Sequence, residues 1–132
     1  MINDYGKFVD STTSSESKYT GDLVMRLTTL QTQYKDVAWS RLMTSAIGML
    51  AESGEFAEIM KKILFQGKVM NEDNRFHMKR ELGDVLWYWI QGCIALGYEP
   101  EEVMKENIKK LESRYPNGFE IARSENREEG DI

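Results

Sequence analysis

Four stretches of the chain repeat apolar side chains at the three-to-four-residue interval of an α-helix, and none alternates at the two-residue interval of a strand. The first starts at Thr20 or Asp22, either of which can cap a helix, and carries Leu23, Leu27, Leu30 and Tyr34. The second follows Asp36 as its cap and runs to about residue 65. Leu42, Ala46, Met49, Leu50, Ala57, Met60 and Leu64 share one broad side, and Lys61 and Lys62 suit the dipole of its last turns. Gln66-Gly67-Lys68 breaks the pattern, and Asn71-Glu72-Asp73-Asn74 serves as loop and cap. The third stretch spans residues 75–96, stopped by Gly97 and the approach to Pro100. It is apolar nearly all round after Asp84, which predicts the central helix. The fourth begins after Pro100 with Glu101 and Glu102, turns Val103, Met104, Ile108 and Leu111 inward, and ends near Tyr115-Pro116. Short loops between helices favour antiparallel neighbours, so the expected fold is all-α, a four-helix bundle.

The flanks lack this periodicity. Residues 1–19 read as a polar, flexible arm, low in core formers through Ser11-Thr12-Thr13-Ser14-Ser15, although Tyr5, Phe8 and Val9 could anchor its start. Residues 20–119 form the helical domain, and residues 120–132 a charged tail expected to be disordered. One domain is the default for 132 residues. A net charge of -5 argues against a nucleic-acid-binding surface. The lone cysteine, Cys93, sits in an apolar run where packing is its expected role, and it suits a reducing compartment. The longest uncharged stretch, residues 85–98, has 14 residues and falls short of the roughly 20 needed to span a bilayer. A cytoplasmic protein is expected, with no membrane partner.

Against this background, two motifs stand out: Glu52-Ser53-Gly54-Glu55 and Glu81-Leu82-Gly83-Asp84. Each places two acids three residues apart, about 60° around a helix and one turn apart. Both are embedded in apolar sequence. If the two helices face each other, four carboxylates converge, and two unit charges ~4 Å apart repel by about 4 kcal/mol at an effective dielectric near 20. Such a group holds protons or a cation. Oxygen-only ligation points to a hard one, Mg²⁺ or else Mn²⁺. Gly54 and Gly83 would let the helices, or a ligand, come close, which offsets the ~1 kcal/mol that Gly costs in a helix interior. The plain alternative is that all four acids are solvated charges on amphipathic helices.

A second constellation lies on the fourth helix. Asn107, Lys110 and Arg114 form one polar stripe, followed by Tyr115. An amide, an ammonium and a guanidinium in line can bind successive phosphate oxygens. Alone they would be an ordinary solvated face; opposite an acidic metal site they would complete a polyphosphate pocket. Tyr88, one turn beyond Asp84, and Trp39, at the mouth of the second helix, are candidates for stacking on a base, although Trp39, like Trp87 and Trp89, is of a type more often found in the core. The single histidine, His77, is four residues before Glu81, where it could support that acid, although the favoured reading is a plain, partly exposed residue.

Three strings resemble the MazG-like all-α nucleoside triphosphate pyrophosphohydrolases: residues 50–58, residues 81–88, and Asn107-Ile108-Lys109-Lys110-Leu111 with Arg114-Tyr115-Pro116. They occur in order between about residues 41 and 119. Lys61-Lys62-Ile63-Leu64-Phe65-Gln66-Gly67-Lys68 and the Arg-Tyr-Pro-Asn-Gly-Phe ending are similar to short single-domain members common in bacteriophages, for which the host cytoplasm would be the compartment. The resemblance implies a helical bundle that assembles as a homodimer or homotetramer and cleaves an NTP or dNTP to the monophosphate and pyrophosphate with Mg²⁺. Carried over by motif, Glu52, Glu55, Glu81 and Asp84 are the metal ligands, and Asn107, Lys110, Arg114 and Tyr115 hold phosphates. Glu55 or the neighbouring Glu58 would take the proton of the attacking water.

Two other classes compete. A di-iron carboxylate bundle needs Glu-x-x-His motifs, and position 74 before His77 is Asn74. A non-catalytic helical adaptor would use the apolar helices and charged tail as an interaction surface. Pyrophosphate release from a nucleotide panel separates it from the enzyme.

Overall fold

The computed structural model describes residues 2–126, and among these the chain is helical with no strand beyond an isolated bridge between Pro116 and Gly118. In order the helices are α1 (Ile2–Thr12), α2 (Ser15–Lys18), α3 (Thr20–Gln33), α4 (Trp39–Phe65), α5 (Glu72–Leu96), α6 (Pro100–Arg114) and α7 (Ile121–Glu125). The expected all-α class holds.

α4 and α5 are an antiparallel pair in contact along their length. The turn between them has a local cause at each end. Gly67 takes a left-handed φ of 70°, and the Lys68 N–H returns to the Lys62 carbonyl at 3.1 Å, which closes α4. Asn71 then caps α5, its side chain accepting from the Asn74 N–H at 2.9 Å. At the far end the Ala38 N–H donates to the Ala95 carbonyl at 2.8 Å, tying the start of α4 to the end of α5.

The seam of this hairpin follows a heptad rhythm. Along α4 the buried and half-buried positions include Leu42, Ser45, Met49, Glu52, Phe56, Ile59 and Ile63, separated alternately by three and four residues. Along α5 they include Asn74, Met78, Glu81, Val85, Tyr88, Gly92 and Ala95 in the same rhythm. Small residues set the closest approach. Ser45 Oγ donates to the Tyr88 carbonyl at 2.7 Å, a Cβ on Gly48 would overlap the Tyr88 ring, and a Cβ on Gly92 would lie 2.7 Å from Ser45 Oγ. Cys93 is buried beside this crossing and free, as expected.

Several sequence expectations need correction. Gly54 and Gly83 do not space the two helices, because a Cβ at either would meet nothing within 4 Å. The apolar side assigned to the second helix is split: Met49 and Met60 face the seam, whereas Ala46, Leu50, Ala57 and Leu64 are exposed, Leu50 by 77%. α5 likewise leaves Leu82, Leu86 and Trp87 more than half exposed. α3 meets α4, and α6 meets α5, over short stretches only, so the four long helices do not close into a bundle within one chain.

Within the expected N-terminal arm, residues 2–12 form α1. The hydroxyls of Ser11, Thr12 and Thr13 return to the carbonyls of Phe8 and Val9 three or four residues back, a bond compatible with continued helix. Tyr5, Phe8 and Val9 are exposed and do not anchor it. α7 occupies the start of the expected tail; the disorder expected of residues 127–132 lies outside the described residues. No helix among the described residues is long and apolar enough to cross a membrane.

Candidate metal centre

Because α4 and α5 are antiparallel, each step along α4 is matched by a step back along α5, and the register that pairs Ser45 with Tyr88 brings Glu52 level with Glu81. The carboxylates of Glu52, Glu81 and Asp84 each offer an oxygen, all within 4.8 Å of one another. Glu55 forms a second group of the same span with His77 and Glu81. All four acids of the two motifs therefore converge, and Glu81 belongs to both groups. Its side chain is only 7% exposed, Glu52 is half-buried, and Glu55 and Asp84 face solvent. The centre is seated in the seam and open on one side.

The electrostatics carry the signature of crowded charge. Partial burial pushes the Glu52 carboxyl above the usual glutamate range. The charges of Glu55, Asp84 and Glu81 act in the same direction, as does a hydrogen bond between Glu52 and Glu81. Glu58, one turn beyond Glu55, is in the opposite situation. Lys61 and Lys62 contact its carboxylate at 2.6 and 3.0 Å, and their hydrogen bonds and charge hold it below the usual range. It belongs to neither convergent group.

His77, expected to be partly exposed, is 53% exposed and also joins one of the two groups. Its Nε2 lies 2.9 Å from Glu81 Oε1. The signal was present in the spacing, since positions 77 and 81 are one helical turn apart on the face that holds Glu81.

The remaining predicted residues are placed less decisively. Asn107 and Lys110 are exposed on α6, and Arg114 and Tyr115 are half-buried at its end, the Arg114 guanidinium lying 6.0 Å from the Tyr115 ring centre. Asn107, Lys110 and Tyr115 make no hydrogen bond or ion pair with the four acids among the described residues. Tyr88 lies at the helix crossing, its ring packed on Gly48 and edge-on to Trp87 at 4.9 Å. Trp39 packs near Tyr34, 6.2 Å between ring centres, and its indole Nε1 is buried without a partner among the described residues.

The donor set fits a hard divalent cation. Four carboxylates lie where they would supply oxygen ligands, and the mutual repulsion that helps raise Glu52 is what a bound cation would relieve.

Comparison with known proteins agrees with this chemistry. The family described as the MazG nucleotide pyrophosphohydrolase domain matches residues 42–119, which include both acidic motifs and the α6 stripe. The chain is also similar to the Gene 37 protein of Mycobacterium phage L5, 37% identical over 82 residues that make up 61% of this chain and 72% of that protein. No solved structure matches.

Proposed function

The chain belongs to the MazG nucleotide pyrophosphohydrolase domain family, and from that premise we propose that it hydrolyses a nucleoside triphosphate, ribo or deoxy, to the monophosphate and pyrophosphate. The observation that carries the proposal is the convergence of Glu52, Glu81 and Asp84 oxygens within 4.8 Å, with Glu55 joining through Glu81. These four side chains would hold Mg²⁺, or Mn²⁺ in its place. When bound, the cation supplies charge neutralisation at the phosphates and lowers the pKa of a coordinated water.

The chain's own residues divide the remaining work. Glu55, exposed at the open side of the cluster, accepts the proton of the attacking water at a carboxylate oxygen. Glu58 is the weaker candidate, because its carboxylate is committed to Lys61 and Lys62 and its low pKa makes it a poor base. Lys110 Nζ, the Arg114 guanidinium, the Asn107 amide and the Tyr115 hydroxyl bind oxygens of the triphosphate and offset charge gathering on the leaving pyrophosphate. Trp39 is the better of the two aromatic candidates for the nucleoside, since its indole N–H lacks an acceptor while the Tyr88 ring is occupied by Gly48.

The catalytic unit is proposed to be a homo-oligomer, in which the exposed Ile47, Leu50, Leu82 and Leu86 of one hairpin pack on a second copy to complete a four-helix bundle. α6 of either copy could then face the acids.

The experiment is a panel of NTPs and dNTPs incubated with Mg²⁺, with products separated by ion-exchange chromatography. Monophosphate and pyrophosphate in equal amounts are expected. Orthophosphate as the direct product, or no turnover of any nucleotide, would overturn the reading.

A further inference from the structure

The geometry points to His77 as a positioning residue that fixes the carboxylate of Glu81, the one acid common to both convergent groups. The inference rests on the metal-centre reading above and adds a residue to it.

Glu81 has an unusual position among the four acids. Its side chain is 7% exposed, on the seam of α4 and α5, and a buried carboxylate requires donors to replace lost water. Among the described residues the hydrogen bonds and ion pairs supply it with two side-chain partners, His77 and Glu52. The imidazole Nε2 lies 2.9 Å from Oε1, the distance at which a ring N–H donates to a carboxylate oxygen.

This bond does more than satisfy one oxygen. The terminal torsion of a glutamate is broad and roughly two-fold, so a free carboxylate samples many orientations. Anchoring Oε1 removes that freedom and leaves Oε2 and the remaining lone pair of Oε1 for a cation. Partners that orient metal ligands in this way typically contribute about 10–100-fold to metal affinity. The plain alternative is an exposed i,i+4 helix pair of little consequence. His77 is itself 53% exposed, which fits that alternative, but its acceptor is not. The imidazole also lies within 4.8 Å of a carboxylate oxygen of Glu55 on α4, at the open side of the site.

The test compares His77→Phe, which keeps a ring and removes the donor, with His77→Gln, whose amide can donate from a similar distance. Mn²⁺ affinity is read by the loss of the free-ion EPR signal, and folding by circular dichroism and thermal melting of the metal-free protein. His77→Phe should bind Mn²⁺ about 10–100-fold more weakly than wild type with an unchanged helical spectrum, and His77→Gln should recover most of the loss. Equal affinity in all three proteins would overturn the inference while leaving the metal centre intact. A nitrogen coupling in the pulsed EPR spectrum of wild type, absent from His77→Gln, would overturn it in favour of direct ligation. Failure of wild type to bind Mn²⁺ would remove the metal centre and this role together. Should His77→Phe fail to fold, a tenfold or greater loss in His77→Gln equal to that in His77→Ala would count against the donor.

Discussion

Gly48 of α4 and Tyr88 of α5 are so close that the ring lies where any side chain at position 48 would begin. Ser45, one turn earlier, donates to the backbone carbonyl of the same tyrosine. The two contacts set the helix separation and register that hold Glu52 opposite Glu81.

Gly48→Ala should therefore lower stability by about 1–3 kcal/mol, the usual result of overfilling a packed contact. Urea unfolding measures it. Gly92→Ala should also destabilise, since its Cβ would meet Ser45 Oγ, and adding Ser45→Ala should return part of the loss. Strict additivity of the Gly92 and Ser45 substitutions would show that they do not share the crossing.

These glycines also mark what the sequence could and could not say. Gly54 and Gly83 drew attention because they sit inside the acidic motifs, yet the helices meet at Gly48 and Gly92, which carry no motif. The four acids, their helices and their convergence were legible, because charge inside apolar helical sequence is a strong local signal. The faces were not. α4 has one row of apolar positions through Leu42, Met49 and Ile59 and another through Ile47, Leu50 and Leu64, and periodicity alone does not say which row meets α5. Register decided it, and register depends on Ser45, Gly48, Tyr88 and Gly92 together. Composition does not announce the helix at residues 2–12 for a related reason: Ser and Thr are weak helix formers, but their hydroxyls can bond within a helix as well as break it.

The metal-free cluster should be less stable at neutral pH than at mildly acid pH. The folded-state pKa of Glu52 is raised, so its protonated form stabilises the fold. That contribution is complete below the ordinary glutamate value of 4.5 and disappears as pH climbs through the higher folded value. Wild type in a chelating buffer should therefore lose melting temperature over this window relative to Glu52→Gln. Mg²⁺ should abolish the difference by neutralising the same charge. A pH-independent difference between the two proteins would contradict it.

Glu52→Gln should also separate stability from function. Removing one of four converging charges relieves repulsion, so the metal-free variant should melt at or above wild type at pH 8. Its Mg²⁺-dependent turnover should fall by at least about 100-fold, the upper end of what even an outer partner of a metal site contributes. Turnover within tenfold of wild type would exclude Glu52 as a ligand.

Glu55→Gln and Glu58→Gln should behave oppositely. The first removes the proposed base and should lose most turnover under saturating Mg²⁺ with helicity intact. The second removes a solvent-exposed ion pair with Lys61 and Lys62, of a kind that contributes little, and should keep activity within about twofold. The reverse order of effects would move the base to Glu58.

Leu50, 77% exposed in the middle of α4, lies one turn from Ile47 on the row that the seam leaves open. An exposed apolar row of this kind is where the proposed association would take place. Leu50→Asp should leave the α4–α5 pair helical, because the residue makes no part of the seam, and should shift the protein to a single-chain mass in sedimentation velocity. Turnover should fall with the oligomer if α6 of the second copy supplies Lys110 and Arg114. An oligomer that survives Leu50→Asp and Ile47→Asp together would place the interface elsewhere. A monomer retaining full activity would show that one chain contributes the whole phosphate site.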